Sequence, residues 1–316
     1  MKRVEASADR AGERLDAAVA RLAGVTRSLA ARLIDSGGVR VGGRALARSF
    51  RLQGGETIAI ELPDEPPPPA AEDIDVAVVY EDEWLVVVAK PPGLVVHPAP
   101  GHPGGTLVNA LLARDPRVDL PGEPSRPGIV HRLDAGTSGL MIVAKEASAF
   151  DELRRMMVDR EVARTYLALV EGSPPKTGEI DAPIGRSERN RKKMGVVAGG
   201  RDARTTYRRV EAFADTTLLE VRPLTGRTHQ IRVHLATAGY PVVGDAVYGR
   251  NRKLAAALGL RRPFLHAAKL AFAHPVSGEE LRLEEPIPAD LEAALAAARA
   301  RGGSSRVRPG SPRTSR

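Results

Sequence analysis

The spacing of apolar side chains changes twice along the chain. In the first sixty residues it is helical and then alternating. Leu15, Val19 and Leu22 share one face, and Leu29, Leu33 and Ile34 another, which predicts two short amphipathic helices. Thr26 or Ser28 is placed to cap the second helix and Gly37-Gly38 to end it. Val39-Arg40-Val41 then reads as a strand, Gly42-Gly43 as a hairpin turn, and Glu56 to Ile60 as another strand. Apolar periodicity next gives way to Pro63 and the run Pro66-Pro67-Pro68-Pro69. Successive prolines exclude helix and favour extended polyproline II, so 63–80 reads as a semi-rigid linker between a module at 1–62 and a domain at 81–300.

Beyond the linker the apolar residues come in short β-rich runs: Val76–Tyr80, Leu85–Ala89, Gly139–Val143, Thr165–Val170, Thr217–Val221 and Leu270–Ala273. Helical stretches fall near 106–114, 147–159 and 228–238, and an Ala-rich helix covers Leu291 to Ala300. Strand and helix do not alternate steadily. This argues for an α+β domain with a mainly antiparallel sheet rather than a doubly wound one.

Charge is segregated along this frame. Residues 1–60 hold eleven Lys/Arg against six Asp/Glu, whereas 61–83 hold nine acids and no base. Arg32 and Arg40 belong to the basic first module. Residues 186–209 carry nine cations around Gly195, Gly199 and Gly200, either a solvated hairpin or a mobile loop that grips phosphates. From Arg299 onward come six Arg and no acid, which predicts a disordered basic tail over 301–316. With a net charge of +8, a polyanionic partner is expected. No apolar run reaches the ~20 residues of a membrane helix, and Met1 to Glu5 leads into no signal-peptide core. The absence of cysteine excludes disulfides and thiolate metal sites and suits a cytoplasmic protein.

Two segments carry candidate chemistry. In His131-Arg132-Leu133-Asp134-Ala135-Gly136-Thr137-Ser138-Gly139, glycines permit a tight turn. That turn either presents Asp134 at a cleft edge or is one that Asp134 merely closes. In Thr225 to His234, a helix would align Thr228, Ile231 and Leu235, with Arg227 in its first turn. An acid paired with such a guanidinium stays ionised, as a nucleophile or base must. His229 and His234 are five apart and do not stack as a metal-binding pair, so no metal is expected. His97, His102, His266 and His274 read as structural or loop histidines, and no phosphate-binding Walker loop is present.

These segments, in this order, resemble the pseudouridine synthases of the RluA/RluD type. His131 to Leu140 is similar to that family's catalytic motif, Arg164 to Leu169 to its tyrosine motif, and Leu224–Leu235, Phe264–Ala267 and Lys90–Pro98 to its further signatures. Residues 12–62 resemble an S4 RNA-binding module, and the two together look most like the RluD branch. The resemblance implies a cofactor-free isomerisation of uridine in RNA. Asp134 would attack the ribose or remove a proton from it, Arg227 would pair with Asp134, and Tyr166 would stack on the uracil. Arg132 would fill the gap left by the flipped base, Ile231 and Leu265 would wall the pocket, and His131 and Thr137 would lie against the RNA. Large-subunit rRNA, at the helix 69 loop, is the expected substrate, and the protein is expected to act as a monomer. A sibling enzyme acting on tRNA, a hydrolase using Asp134 and the histidines, and a non-catalytic RNA-binding protein are the competing expectations.

Overall fold

The structure is a computed structural model that describes residues 2–62, 69–99, 102–114, 120–123, 126–187, 190 and 193–302. By proximity of its backbone the chain divides into two units, Met1–Pro67 and Pro68–Arg316.

The first unit contains β1 (Lys2–Ser7), α1 (Leu15–Leu22), α2 (Arg27–Asp35), β2 (Val39–Val41) and β3 (Thr57–Leu62), with the strands in antiparallel order β1-β3-β2. Leu15, Val19, Leu33 and Ile34 pack on Val39, Val41, Ile58 and Ile60, so the helical and alternating patterns meet in one core. Thr26, rather than Ser28, caps α2: its side chain accepts from the Leu29 amide. Gly42 and Gly43 both take positive φ, 54° and 81°, between Val41 and Arg44, which exchange backbone hydrogen bonds. That is the two-residue hairpin geometry for which glycine is suited. β1 was not expected. Its two apolar residues, Val4 and Ala6, are too few to stand out beside the charges of Lys2, Arg3 and Glu5.

The second unit is built on a nine-stranded mixed sheet. It comprises β4 (Ala77–Glu81), β5 (Leu85–Lys90), β6 (Ser138–Ala144), β7 (Ala163–Glu171), β8 (Thr177–Asp181), β11 (Arg204–Ala212), β12 (Thr216–Pro223), β13 (Leu265–Ala273) and β14 (Glu280–Glu284). Between β8 and β11 lies a separate hairpin of β9 (Ile184–Arg186) and β10 (Met194–Val196). The strand order is β4-β5-β6-β13-β7-β12-β11-β8, with β14 paired to β13. The β6–β13 pair is parallel and short, His266 opposite Ser138 and Ala267 opposite Gly139. The other named pairings are antiparallel, in line with the α+β reading.

Both faces of the central strands are covered, which is why β5 and β6 read as unbroken apolar runs. On one face Val86, Val88, Met141 and Val143 share a core with α3 (Leu107–Arg114) and α5 (Gln230–Thr237). On the other, Leu85, Val87, Leu140 and Ile142 pack on Phe150, Leu153 and Met156 of α4 (Ala147–Asp159). Further along that face, α6 (Arg252–Ala257) and α7 (Ala289–Gly302) cover Leu169, Leu218 and Phe264.

Two expectations about organisation change. The second half of the stretch read as linker belongs to the larger unit. Asn109 donates to Ala70 O at 2.7 Å, the Glu72 carboxylate accepts from the Gly105 amide, and Ala77–Glu81 is already the edge strand β4. Residues 63–68 of that stretch lie outside the described residues, as do residues 303–316 of the basic tail. The basic segment 186–209 is, where described, the β9–β10 hairpin followed by the start of β11. Arg204 there pairs with Glu179 at 2.6 Å and Arg208 with Glu220 at 2.9 Å, so part of its charge is neutralised. Arg189, Arg191 and Lys192 lie outside the described residues.

Candidate active site

Asp134 sits in the turn that leads into β6. The Thr137 amide closes this turn on Asp134 O at 3.0 Å. Two buried or half-buried cations brace the turn through its backbone. Lys90, at the end of β5, is 1% exposed and donates to the carbonyls of Pro91, Leu94 and Ala135. Burial pushes its pKa down to about 7, against the opposing pull of Asp134. Arg262 donates to Gly136 O and Ser138 Oγ at 3.2 Å each and is held by two bonds to Asp290 on α7. Ser138 Oγ also meets His266 Nδ1 at 3.0 Å. Gly139, at φ 112°, pairs with Ala267 where β6 meets β13. A Cβ there would collide with Ala267 O, so no larger residue fits.

The partner of Asp134 is Arg232, not Arg227. Arg232 Nη1 donates to Asp134 Oδ2 at 2.9 Å. The same guanidinium is gripped from behind by Asp245, Nε to Oδ2 at 2.6 Å and Nη2 to Oδ1 at 2.9 Å. The Asp245 side chain is fully buried and also accepts from the amides of Val247 and Tyr248. Burial pushes its carboxyl up, and Arg232 together with the Val247 and Tyr248 amides pulls it further down, so that it lies below the usual range. The Tyr248 ring lies 5.2 Å under the guanidinium carbon. One guanidinium therefore serves two carboxylates, and Asp134 Oδ1 accepts no hydrogen bond among the described residues. His229 Nε2 stands 4.0 Å from that oxygen.

Arg227 was expected in the first turn of a helix, but α5 starts only at Gln230. The Gln230 side chain folds back over the preceding loop. It accepts from Thr225 Oγ1 and the Arg227 amide and donates to Arg204 O and Thr205 Oγ1. This leaves Arg227 off the helix, with its Nε donating to Asp202 O at 3.0 Å. One signal for Arg232 was present in the sequence. Asp245 follows the apolar pair Val242-Val243 and Gly244, and an acid buried in such a setting needs a cation.

These groups open onto a cavity of about 540 Å³, large enough for a nucleoside. Asp134, Tyr166, Arg232, Ile231, Leu265 and Thr137 all line it. Tyr166 projects from β7, opposite Val221 on one side and Ala267 on the other, and is 6% exposed. Burial pushes its hydroxyl pKa up, the nearby Arg164 opposes this, and Asp134 adds to it. Arg132 is exposed on the cavity wall. Arg32 and Arg40 lie on the first unit, where both are exposed.

His131 is tied into the fold more than into the cavity. Its Nε2 accepts from the Ile142 amide at 2.9 Å, so the ring proton resides on Nδ1. Burial, reinforced by Arg164, pushes its pKa down to about 3. His131 Nδ1, His97 Nδ1 and Arg164 Nε are buried without a hydrogen-bond partner among the described residues, and all three residues line the cavity. Unsatisfied buried polar atoms are uncommon, and their concentration at one place marks it as functional. His234 and His266 are satisfied within the fold. His234 bonds Thr205 Oγ1 and Ala182 O, while His266 bonds Ser138 Oγ and Glu285 O.

The wall is basic. Arg126, Arg132, Arg154, Arg160, Arg201 and Arg227 all line the cavity. Among the described residues only Arg126 of these six is in an ion pair, with Glu123 at 2.6 Å.

The chain is similar to known proteins. Residues 84–237 match the family model described as RNA pseudouridylate synthase, and residues 13–58 match that of the S4 domain. The chain is 49% identical over 278 residues to an uncharacterized RNA pseudouridine synthase of Chloroflexus aurantiacus, a match covering 86% of this chain and 85% of that one. It is 46% identical over 300 residues to ribosomal large subunit pseudouridine synthase D of Xanthomonas campestris pv. campestris, covering 92% and 90% respectively. Among solved structures, human RNA pseudouridylate synthase domain containing 4 matches with a TM-score of 0.56 and 27% identity, over 71% of this chain and 93% of that one. The chain belongs to the RNA pseudouridine synthases, isomerases that convert uridine in RNA to pseudouridine, and carries an N-terminal S4 domain. No helix of the described residues is long and apolar enough to cross a membrane.

Proposed function

We propose that this chain isomerises uridines of large-subunit rRNA, in the helix 69 loop, and that Asp134 is the group that acts on the ribose. The observation that carries the reading is the shared guanidinium. Arg232, locked by Asp245, aligns one oxygen of Asp134 and, among the described residues, leaves the other without a hydrogen bond at the cavity. The naming of the Xanthomonas relative supports rRNA as the substrate.

A uridine within a stack cannot reach this cavity, so the nucleotide flips out, at a cost of a few kcal/mol. Arg132, whose planar guanidinium has no ion pair among the described residues, enters the gap it leaves. Ile231 and Leu265 flank the base, and Tyr166 offers a ring on which uracil can stack. The N1–C1′ bond breaks, uracil turns, and C5 bonds to C1′. C5 gives up its proton and N1 ends protonated. The raised pKa of Tyr166 favours the phenol, which suits stacking and donation better than proton abstraction. Asp134 enters either as nucleophile at C1′ or as base at C2′. A primary isotope effect from deuterium at C2′ marks the second route.

The test uses the full-length protein on 23S rRNA and tRNA transcripts, mapped by carbodiimide-stop primer extension. New stops are expected in the helix 69 loop with the wild type. None are expected with Asp134→Asn, whose RNA affinity should stay within a few-fold. Pseudouridine formation by purified Asp134→Asn overturns the residue assignment, and stops confined to tRNA overturn the rRNA target.

A further inference from the structure

Among the described residues, two that are not glycine adopt positive φ, Arg160 at 65° and His229 at 56°, and both line the cavity. An L-residue in this region is strained by its Cβ, and strain retained in a fold points toward function. His229 has a tie within the protein: it turns the chain into α5, and its Nδ1 meets Tyr248 Oη at 2.9 Å. Arg160 has no equivalent. It closes α4 at the position where glycine is the usual residue, and the amides of Arg160 and Glu161 both donate to Met156 O. Its exposed side chain forms no hydrogen bond or ion pair among the described residues.

The same helix shows how cations turned elsewhere are treated. Arg155 is paired with Glu152, Asp159 and Glu161, each at 2.7 Å. Arg154, by contrast, lies on the cavity wall over the Phe150 ring, with no carboxylate partner among the described residues. Val158, 79% exposed, lines the same wall. The end of α4 thus places two guanidiniums and an aliphatic side chain at the cavity mouth and leaves the compensating acids to Arg155.

We propose that the C-terminal end of α4 is a binding wall for the RNA strand flanking the target nucleotide. Arg160 grips a phosphate next to the flipped uridine, with Arg154 beside it and Val158 against the neighbouring ribose. An unpaired guanidinium binds phosphate through two parallel hydrogen bonds and loses no internal ion pair in doing so. The αL backbone is the strain accepted to carry an arginine where glycine would sit more easily. This inference rests on reading the cavity as the uridine site.

The test separates strain from binding, using the full-length protein and an rRNA transcript. Arg160→Gly relieves the backbone, so the melting temperature should rise by about 2–4 °C. The same variant should raise KM roughly tenfold, with the loss falling on KM rather than kcat. It should also flatten the dependence of log affinity on log salt by about 0.7–1. Arg160→Lys should recover most of the affinity and Arg160→Gln should not. Arg282→Ala, which removes a charge from the exposed strand β14, should change neither KM nor salt slope. A higher melting temperature with unchanged KM and salt slope overturns the proposal, leaving only a strained helix end. A fall in kcat at constant KM overturns it as well. If the wild type modifies no transcript, the proposed function fails, while salt-dependent binding by Arg160→Gly against wild type still decides this inference.

Discussion

Each unit of this protein holds a cluster of aspartate and arginine, and the two are built in opposite proportion. In the first unit one carboxylate has two guanidiniums. Asp16 receives two bonds from Arg14 at 3.1 Å and an ion pair from Arg27 at 3.2 Å, and these hold its pKa at about 2. In the second unit one guanidinium has two carboxylates, Asp245 behind it and Asp134 in front. The residue types are the same, and the ratio decides what the acid can do. Asp16 has both oxygens occupied and serves the fold. Asp134 has one oxygen aligned and one left over, at a cavity. Charge-assisted hydrogen bonds fix geometry in both places, but of the two acids only Asp134 keeps an oxygen with no hydrogen bond among the described residues.

The strongest way to break this contrast is to unlock Arg232 from behind. Asp245→Asn leaves Asp134 its only charged anchor and frees the guanidinium to shift. Since displacement near 1 Å can cost about 100-fold in rate, kcat should fall by roughly that factor. Losing one member of a buried pair should also lower stability by about 3 kcal/mol. Steady-state kinetics on the folded variant, with denaturant titration beside it, check both numbers. A kcat within twofold of wild type would mean that Asp245 serves the fold alone.

A second effect is read against pH and concerns the unsatisfied groups of the cavity. The folded-state pKa of His131, about 3, lies below its ordinary 6.5. The unfolded chain therefore takes up a proton as pH falls below 6.5 while the folded protein does not. The folded state loses about 2 kcal/mol on this account between pH 6.5 and 5. His131→Gln, which can still accept from the Ile142 amide, should show a correspondingly flatter stability profile in that window by urea titration. An unchanged slope would refute the buried neutral imidazole.

The smallest expected effect is on the saturated acid. Asp16→Asn should cost about 1 kcal/mol near neutral pH, because Arg14 and Arg27 are well exposed and solvent screens them. The depressed pKa of Asp16 means that its contribution is present above pH 3.8 and lost as pH falls through about 2. Its kcat should match wild type. A large loss of kcat in Asp16→Asn would end the contrast between a committed and an available carboxylate.

Much of this was legible before the structure, and the misses share a cause. The buried strands β5, β6 and β7 announced themselves as unbroken apolar runs. The polar strands β8 and β14 did not: they present alternating charges with few apolar residues, Glu280-Leu281-Arg282-Leu283-Glu284 being typical, whereas the apolar edge strand β4 was expected. In the site, Asp134 lies in a turn, as its flanking glycines led one to expect, and it lines one cavity with Tyr166. Arg232 was missed in favour of Arg227 because sequence gave no sign that the Gln230 side chain would delay the helix start. That Asp245 and Arg262 act on this turn was hidden for another reason. They reach Asp134 and its turn through Arg232, Gly136 and Ser138, and only the folded sheet brings these together.

The bracing of the Asp134 turn by Arg262 and Asp290 also has a meaning in time. Ser138 waits for His266, 128 residues later, and Gly136 for Arg262, which in turn waits for the helix that opens at Ala289. A growing polypeptide makes the turn but cannot fasten it until α7 has been made. The S4 unit, by contrast, is complete within the first 62 residues. The S4 unit is thus closed by contacts local to its own stretch of chain, whereas the Asp134 turn depends on residues added more than 120 positions later.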